Sequence, residues 1–141
     1  MIEYCLDTNV CIDLIRGTSV PVRRRFKEAI DDGSVLGVSS VVLHELWYGV
    51  AKSAQRERNT ERLQAFLSGP LEILYWDDAD ARAAGEVRAQ VEKDGYTIGA
   101  YDALIAAQAV RRGIPVVTAN TKEFKRVDGL DWEDWARPLS R

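Results

Sequence analysis

Two patterns of apolar residues alternate along this chain of 141 residues. Short, continuous apolar runs are typical of buried strands, and apolar residues spaced three or four positions apart are typical of helices. The apolar runs predict strands at residues 2–6, 35–38, 71–76 and 114–118. The helical spacing predicts helices at residues 9–15, 20–30, 41–52, 57–67 and 100–112, and a further one that contains Ala83, Val87 and Val91. Because parallel neighbours need crossover connections, this order predicts an α/β fold: a central parallel sheet flanked by helices on both faces.

Residues that favour turns and helix caps support these boundaries. Ser39-Ser40 offers a cap for the third predicted helix, and Asp77-Asp78 offers one for the helix after the third strand. The tail from Val127, with Trp132 and Trp135, follows neither pattern and is assigned no element. The chain shows no internal repeat, low-complexity tract or domain boundary, so residues 1–141 are expected to form a single domain.

Composition narrows the possible functions. Hydrophobic residues make up 46% of the chain, enough for one sizeable core, and the formal net charge is −3. That charge provides no general positive field for nucleic acid, so any RNA contact must come from local features. The N-terminus has no signal-peptide pattern, and no window reaches the roughly 18 apolar residues that a membrane span needs. We expect a soluble, cytoplasmic protein with no membrane segment, in which Cys5 and Cys11 are reduced thiols.

Two polar residues lie just beyond predicted strand ends. Asp7 follows the first strand, and Asn120 follows the fourth. In open parallel sheets, ligands bind outside the carboxyl ends of the strands, so both side chains are expected to face one cleft. For Asp7 the alternative role is to cap the helix that follows it.

Two further acids interrupt apolar helices. Glu45 and Asp102 are each the only acid within seven residues on either side. A buried carboxylate is normally paired or bound to metal, because losing its water costs several kcal/mol. The alternatives are a salt bridge from Glu45 to Lys52 or Arg56, and stabilisation of Asp102 by the N-terminal dipole of its own helix. Together with Asp7, these acids predict an oxygen-rich site of the kind that Mg²⁺ or Mn²⁺ prefers.

Other catalytic motifs are absent from the sequence. The segment HELWY at residues 44–48 begins like the zinc-protease HExxH motif, but Tyr48 stands at the second histidine position. His44 is the only histidine of the chain, and we expect it to be a helix surface residue. The chain also lacks the phosphate loop, the GxGxxG motif and the GxSxG elbow, which excludes the commonest NTPase, dinucleotide and α/β-hydrolase sites.

Four segments, in order along nearly the whole chain, resemble the PIN domain. They are LDTN at residues 6–9, the stretch from the serine pair to Glu45 at residues 39–45, YDALIAA at residues 101–107 and VTAN at residues 117–120. More narrowly, the chain is similar to VapC toxins of type II toxin–antitoxin modules. The segments ELWYG at residues 45–49 and NTKEF at residues 120–124 suit the branch that cleaves initiator tRNA. The resemblance implies a PIN-like α/β fold and a metal-dependent endoribonuclease.

The resemblance also implies roles for individual residues. The metal-binding acids would be Asp7, Glu45 and Asp102, with Mg²⁺ or Mn²⁺ as the cofactor. Asn120 falls where many family members have a fourth acid, so it would coordinate through its carbonyl or orient a metal-bound water. The cluster is then one negative charge short, and a second metal should bind more weakly. Thr8 and Thr118 would support this shell by hydrogen bonding.

Three partners follow from the resemblance: a tRNA substrate, an antitoxin similar to VapB that blocks the cleft, and a second copy of the chain in a homodimer. The candidate RNA-binding residues are Lys122, Lys125 and Arg126, and less so Arg23-Arg24-Arg25, for which a solvated surface is the alternative. The candidate interface aromatics are Trp47, Tyr48, Trp132 and Trp135, for which partial core burial is the alternative.

Two other functions stay open as hypotheses. A catalytically degenerate PIN module would bind RNA or protein without cleavage, but the three intact acids argue against it. A HAD-like phosphatase also has an aspartate after its first strand. That family needs a second aspartate two residues on, where this chain has Asn9.

Overall fold

A computed structural model describes residues 1–137 and contains a five-stranded parallel sheet. The strands are β1 (Tyr4–Leu6), β2 (Leu36–Ser39), β3 (Leu71–Leu74), β4 (Val116–Val117) and β5 (Trp132–Glu133). Their order across the sheet is β3-β2-β1-β4-β5, and every neighbouring pair is parallel. The chain runs outward from β1 through β2 and β3 on one side, and through β4 and β5 on the other. Such a reversal opens a crevice at the carboxyl ends of β1 and β4.

Helices cover both faces of this sheet, as predicted. Within residues 1–137 they are α1 (Thr8–Arg16), α2 (Val20–Asp31), α3 (Ser40–Lys52), α4 (Arg56–Leu67), α5 (Asp78–Lys93), α6 (Ala100–Arg112) and α7 (Thr121–Phe124). Each strand and helix predicted from the apolar pattern is present. Of the two serines offered as a cap, Ser39 caps α3 through its hydroxyl, and Asp77 forms a capping box with Asp80 at the start of α5.

Helix α6 is the most deeply buried helix next to the crevice. It packs against α3 and α5, and its buried positions are mainly small residues, which allow close approach of the neighbouring backbones. Its C-terminus is closed by Gly113, whose φ of 66° lies in the left-handed region that glycine adopts without strain. Helix α6 therefore has a fixed position, and so do the side chains at both of its ends.

An ion cluster joins the start of α5 to the end of α6. Asp80 is fully buried and accepts hydrogen bonds from Arg111 Nε at 2.7 Å and Arg112 Nη2 at 2.8 Å. Arg111 also contacts the exposed Asp77. Burial opposes ionisation of Asp80, but the hydrogen bonds from Arg112 and Arg111 outweigh it and lower the pKa of this carboxyl to about 2.

The tail that the apolar pattern left unassigned closes one edge of the sheet. Its strand β5 pairs with β4, and the backbone N–H of Thr118 donates to the Glu133 carbonyl at 2.9 Å. Trp135 is only 2% exposed, with the Tyr4 ring against its edge at 5.5 Å and the Arg25 guanidinium over it at 5.8 Å. Arg25 also forms a salt bridge with Glu133. Trp135 is thus part of the core.

The structure bears on two predictions made from composition, the reduced cysteines and the lack of a membrane segment. Cys5 and Cys11 are buried free thiols. Across residues 1–137, every helix is too short or too polar to span a bilayer.

Candidate active site

Asp7 lies at the carboxyl end of β1 and is 3% exposed. Its Oδ1 accepts the backbone N–H of Thr8 at 2.8 Å, which makes it the N-cap of α1. Its Oδ2 accepts the hydroxyl of Thr118, just beyond β4, at 2.8 Å. Asp7 can therefore cap α1 and face the crevice at the same time, because the two contacts use different oxygens of its carboxylate.

Glu45 comes to the same place from α3. The hydroxyl of Thr8 donates to Glu45 Oε1 at 2.8 Å. The salt bridge to Lys52 or Arg56 considered from the sequence does not form within residues 1–137. Lys52 instead lies over the Tyr48 ring, 4.9 Å from its centroid. Glu45 thus faces the crevice without a basic partner.

Asp102 sits in the first turn of α6 and meets Asn120 across the crevice. The Asn120 amide nitrogen donates to Asp102 Oδ2 at 3.0 Å and to Glu123 Oε2 at 2.6 Å. The other oxygen of Glu123 accepts the backbone N–H of Gly99, the N-cap residue of α6, at 3.0 Å. Asn120 is therefore a double donor placed between two carboxylates.

Glu123 is the site residue that the sequence analysis missed. From the sequence, the cluster contains three acids and is one charge short, because Asn120 stands at the fourth position. The structure brings Glu123 to that place from the one-turn helix α7, three residues after Asn120. The available signal was this spacing of three, which puts two residues on the same face of a helix. That signal is weak in a helix of four residues.

One continuous set of hydrogen bonds links all these side chains. Thr8 connects Glu45 to Asp7, and Thr118 connects Asp7 to the backbone N–H of Asn120, which donates to the Thr118 hydroxyl at 2.9 Å. Asn120 then reaches the two remaining acids. Thr8 and Thr118 thus each hydrogen-bond to Asp7 and to one further residue of this set, and their role in supporting a metal stays a prediction.

The electrostatics of this set are those of crowded carboxylates. Burial, hydrogen bonding to Glu123 and the charges of Asp7, Glu123 and Glu45 raise the pKa of Asp102 to about 7. Burial, with contributions from Glu45 and Glu123, also raises the pKa of Asp7 above its usual range. The pKa of Glu123 is lowered, first by the hydrogen bond from Asn120. Of these two neighbouring acids, Glu123 therefore loses its proton at lower pH, and Asp102 holds its proton more strongly.

The donor set fits a hard divalent cation in its chemistry. The side chains of four acids offer carboxylate oxygens: Asp7, Glu45, Asp102 and Glu123. Within residues 1–137 none of the four makes a salt bridge. Each carboxylate is turned toward a hydroxyl, amide or backbone N–H donor. Accordingly, no three His, Cys, Asp or Glu side chains of the described residues converge as a ready-made metal site. Burial first, and then the charges of the neighbouring acids, raise the pKa values of Asp7 and Asp102, and a bound cation would offset both effects.

The basic residues near α7 differ in their availability. Lys122 and Lys125 are exposed. Arg126 is half-buried, donates to the Thr97 carbonyl at 2.8 Å and lies 4.7 Å from the centroid of the Tyr96 ring. Its contacts fix the loop before α6, so Lys122 and Lys125 are the better candidates for RNA contact.

The other candidate RNA-binding arginines and the candidate interface aromatics also differ in their exposure. Arg23 and Arg24 are exposed on α2, whereas Arg25 pairs with Glu133. Among the aromatic residues, Trp47 and Tyr48 are exposed on α3. Trp132 and Trp135 lie at least partly in the core, so the α3 pair is the one available to a partner.

Comparison with known proteins gives matches over almost the whole chain. The PIN domain model matches residues 4–130. The "tRNA(fMet)-specific endonuclease VapC" of Shigella flexneri is 41% identical over 136 residues, which cover 96% of this chain and 100% of the relative. The protein of the same description from Salmonella typhimurium (strain LT2) is 40% identical over 135 residues, 96% and 99% of the two chains.

A solved structure agrees with these matches. The crystal structure of VapBC2 from Rickettsia felis, bound to a DNA fragment from its promoter, contains a chain that superposes with a TM-score of 0.87. That chain is 36% identical, and the match covers 95% of this chain and 99% of the other.

Proposed function

This chain belongs to the PIN domain family, and from that premise we propose that it is the toxin of a type II toxin–antitoxin module. In this proposal it is an endoribonuclease that hydrolyses RNA phosphodiester bonds with a divalent metal, and residues 1–141 form one PIN domain. One observation carries the proposal: four hydrogen-bonded carboxylates without a basic partner lie at the crevice between β1 and β4.

PIN-domain ribonucleases generally depend on a divalent metal. In this chain Asp7, Glu45 and Asp102 would hold Mg²⁺ or Mn²⁺, and Glu123 is a fourth acid beside them. A bound metal of this kind lowers the pKa of a water molecule and stabilises negative charge on the scissile phosphate.

The polar residues around the acids keep them in place. Thr118 and Thr8 hold the two oxygens of the buried Asp7, and Thr8 also orients Glu45. Asn120 keeps Asp102 and Glu123 together in spite of their like charge. Such supporting contacts are typically worth 10–100-fold in metal affinity or activity.

The substrate proposal rests on the relatives. Both relatives described above are named as endonucleases specific for tRNA(fMet), at 41% and 40% identity. We therefore propose initiator tRNA as the substrate, which places the activity in the cytoplasm. Lys122 and Lys125 are proposed to contact phosphates near the crevice.

The partner proposal rests on the solved structure. The Rickettsia felis structure is of VapBC2, and by its likeness we propose a cognate antitoxin similar to VapB. We also propose a homodimer, as the family resemblance implies. The exposed Trp47 and Tyr48 are the aromatic residues of α3 that these contacts would use.

The proposed activity is tested by removing one carboxylate charge at a time. Asp7→Asn and Asp102→Asn are expected to lower Mg²⁺-dependent cleavage of initiator tRNA by more than about 100-fold, beyond the usual loss for supporting residues. Asp31→Asn, on the exposed end of α2, is the matched control and should cleave like the wild type. Wild-type cleavage by either site variant would refute the metal-site assignment. Binding of tRNA without cleavage by the wild type would favour the degenerate PIN module instead.

A further inference from the structure

Two exposed rings meet beside the carboxylates. His44 directly precedes Glu45 on α3, and Tyr101 directly precedes Asp102 on α6. His44 Nε2 lies 3.2 Å from the Tyr101 hydroxyl, and the ring centroids are 5.5 Å apart with a 50° tilt. Tyr101 is 45% exposed. The two helices that supply two of the acids thus also supply an aromatic pair beside them.

The aromatic pair shares one cavity with Glu45, one of the four acids. A cavity of about 880 Å³ is lined by His44 and Tyr101 together with Thr8 and Glu45. A molecule in this cavity can therefore reach the two rings, Thr8 and Glu45.

The charge of the site decides which part of an RNA chain fits against the rings. The carboxylates of Asp7, Glu45, Asp102 and Glu123 repel phosphate groups, and within residues 1–137 no arginine or lysine forms a salt bridge with them. Attraction of RNA can come from a bound cation, from the basic residues Arg16, Lys52 and Arg62 that also line the cavity, and from contacts that do not depend on charge. Stacking of a base on an aromatic ring is such a contact, and it operates with every base.

We propose that His44 and Tyr101 form a stacking platform for a nucleobase of the RNA, next to the phosphodiester that is cleaved. This inference rests on the proposed function. The stacked base must be unpaired, because a base inside a duplex has both faces covered by its neighbours. His44 and Tyr101 are then positioning residues that select where along a strand the cut falls.

Kinetics test the platform. Tyr101→Ala and His44→Ala should each raise KM for initiator tRNA by about tenfold, as expected for loss of one stacked base, with a smaller change in kcat. Tyr101→Phe keeps the ring and loses only the hydroxyl contact with His44, so its KM should stay within about twofold of wild type, since the ring supplies the stacking. Tyr75→Ala is the matched control, since Tyr75 is 72% exposed and does not line the cavity.

Fluorescence supplies a second readout that does not need cleavage. The probe is a single-stranded RNA octamer with 2-aminopurine at one position, bound to Asp7→Asn protein so that the RNA stays intact. Stacking quenches this fluorophore, so quenching is expected with Tyr101 or Tyr101→Phe and should be lost with Tyr101→Ala.

The outcomes separate the two proposals. Equal quenching with Tyr101 and Tyr101→Ala would overturn the stacking inference. So would a Tyr101→Ala protein whose antitoxin binding is weakened while its RNA kinetics are unchanged, because the rings would then serve the protein partner. A matching loss of melting temperature and kcat in both Tyr101 variants would assign the pair a structural role and would also overturn it. If the wild type cleaves no RNA, the proposed function fails, and the quenching assay still decides the platform.

Discussion

The two ends of α6 contact acids in opposite electrostatic states, a fully buried one, Asp80, and a half-buried one, Asp102. At its C-terminus, Arg111 and Arg112 hold Asp80 ionised, with a pKa of about 2. At its N-terminus, Asp102 has only an amide and other acids around it, and burial and those acids raise its pKa to about 7. The first cluster stabilises the fold through its own counterions. The second is costly to the fold unless positive charge comes from outside, which is the property expected of a metal-binding site.

The largest expected effect breaks the paired cluster. Asp80→Asn leaves Arg111 and Arg112 without their buried partner and should lower the free energy of unfolding by about 3 kcal/mol. Breaking a buried ion pair typically costs about 3–5 kcal/mol, and the lower value is expected here because the two arginine side chains are 35% and 25% exposed. Urea unfolding measures the loss. Cleavage per folded molecule should be unchanged.

The control for this change lies on the same helix. Glu86→Gln, an exposed position of α5, should change the free energy of unfolding by less than about 0.5 kcal/mol. An Asp80→Asn protein as stable as this control would show that the arginine cluster contributes no net stability.

The next effect concerns pH and the unpaired cluster. The folded-state pKa of Asp102, about 7, exceeds the ordinary aspartate pKa of 3.8, so between these pH values the folded protein holds a proton that the unfolded chain releases. In EDTA, stability should therefore fall as pH rises from about 4 to about 7. Asp102→Asn should make this slope shallower and leave the part that the raised pKa of Asp7 contributes. At pH 8 the variant should be more stable than the wild type by about 1 kcal/mol, a figure reduced because the Asp102 side chain is partly exposed.

Asp80 gives this pH experiment its opposite case. Its lowered pKa means that its stabilisation is present above about pH 4 and is lost as pH falls toward 2. The two ends of α6 should thus produce slopes of opposite sign in one set of urea titrations. Equal slopes between pH 4 and 7 for wild type and Asp102→Asn would contradict the raised pKa of Asp102.

A smaller effect tests how the unpaired cluster is held. Thr118→Val keeps the shape of this buried residue but removes the hydroxyl that donates to Asp7 and accepts from Asn120. Mg²⁺-dependent cleavage should fall about tenfold, with the apparent Mg²⁺ constant rising. Thr60→Val, on the exposed face of α4, is the control and should behave like the wild type. Unchanged Mg²⁺ dependence in Thr118→Val would show that the hydroxyl does not support the site.

The smallest expected effect concerns exposed positive charge near the site. Lys122→Gln and Lys125→Gln should each raise KM for tRNA by about two- to fivefold. Each should also reduce the slope of log binding constant against log salt concentration by about 1, the amount expected for one lost phosphate contact. Arg82→Gln, at an exposed position of α5, serves as the matched control. If all three substitutions have the same effect, the α7 lysines contact RNA no more than any surface charge does.

The apolar pattern predicted a parallel sheet with strands β1 to β4 and the six longer helices. It could do so because the burial of a strand or of one helix face determines the spacing of apolar residues. It predicted neither α7 nor β5. Helix α7 has four residues and β5 has two, so neither repeats its apolar pattern often enough to be recognised. Strand β4 also has two residues, but it lies within a longer apolar run at residues 114–118. Trp135 illustrates the consequence: only the structure shows that this tail residue is in the core.

For the site, isolation in apolar surroundings pointed to Glu45 and Asp102, and a position after a strand pointed to Asp7. Glu123 escaped both criteria because it lies among charged residues in α7, next to Lys122. Its presence also explains Asn120 physically. An aspartate at that position would add a fifth negative charge and remove the N–H donors that hold Asp102 and Glu123 together.

Strand β5 comes later in the chain than all four carboxylates, and it steadies the end of β4 by accepting the backbone N–H of Thr118. Thr118 in turn holds Asp7. Because a ribosome builds its product from the N-terminus onward, the acids are synthesised before the strand that completes their surroundings.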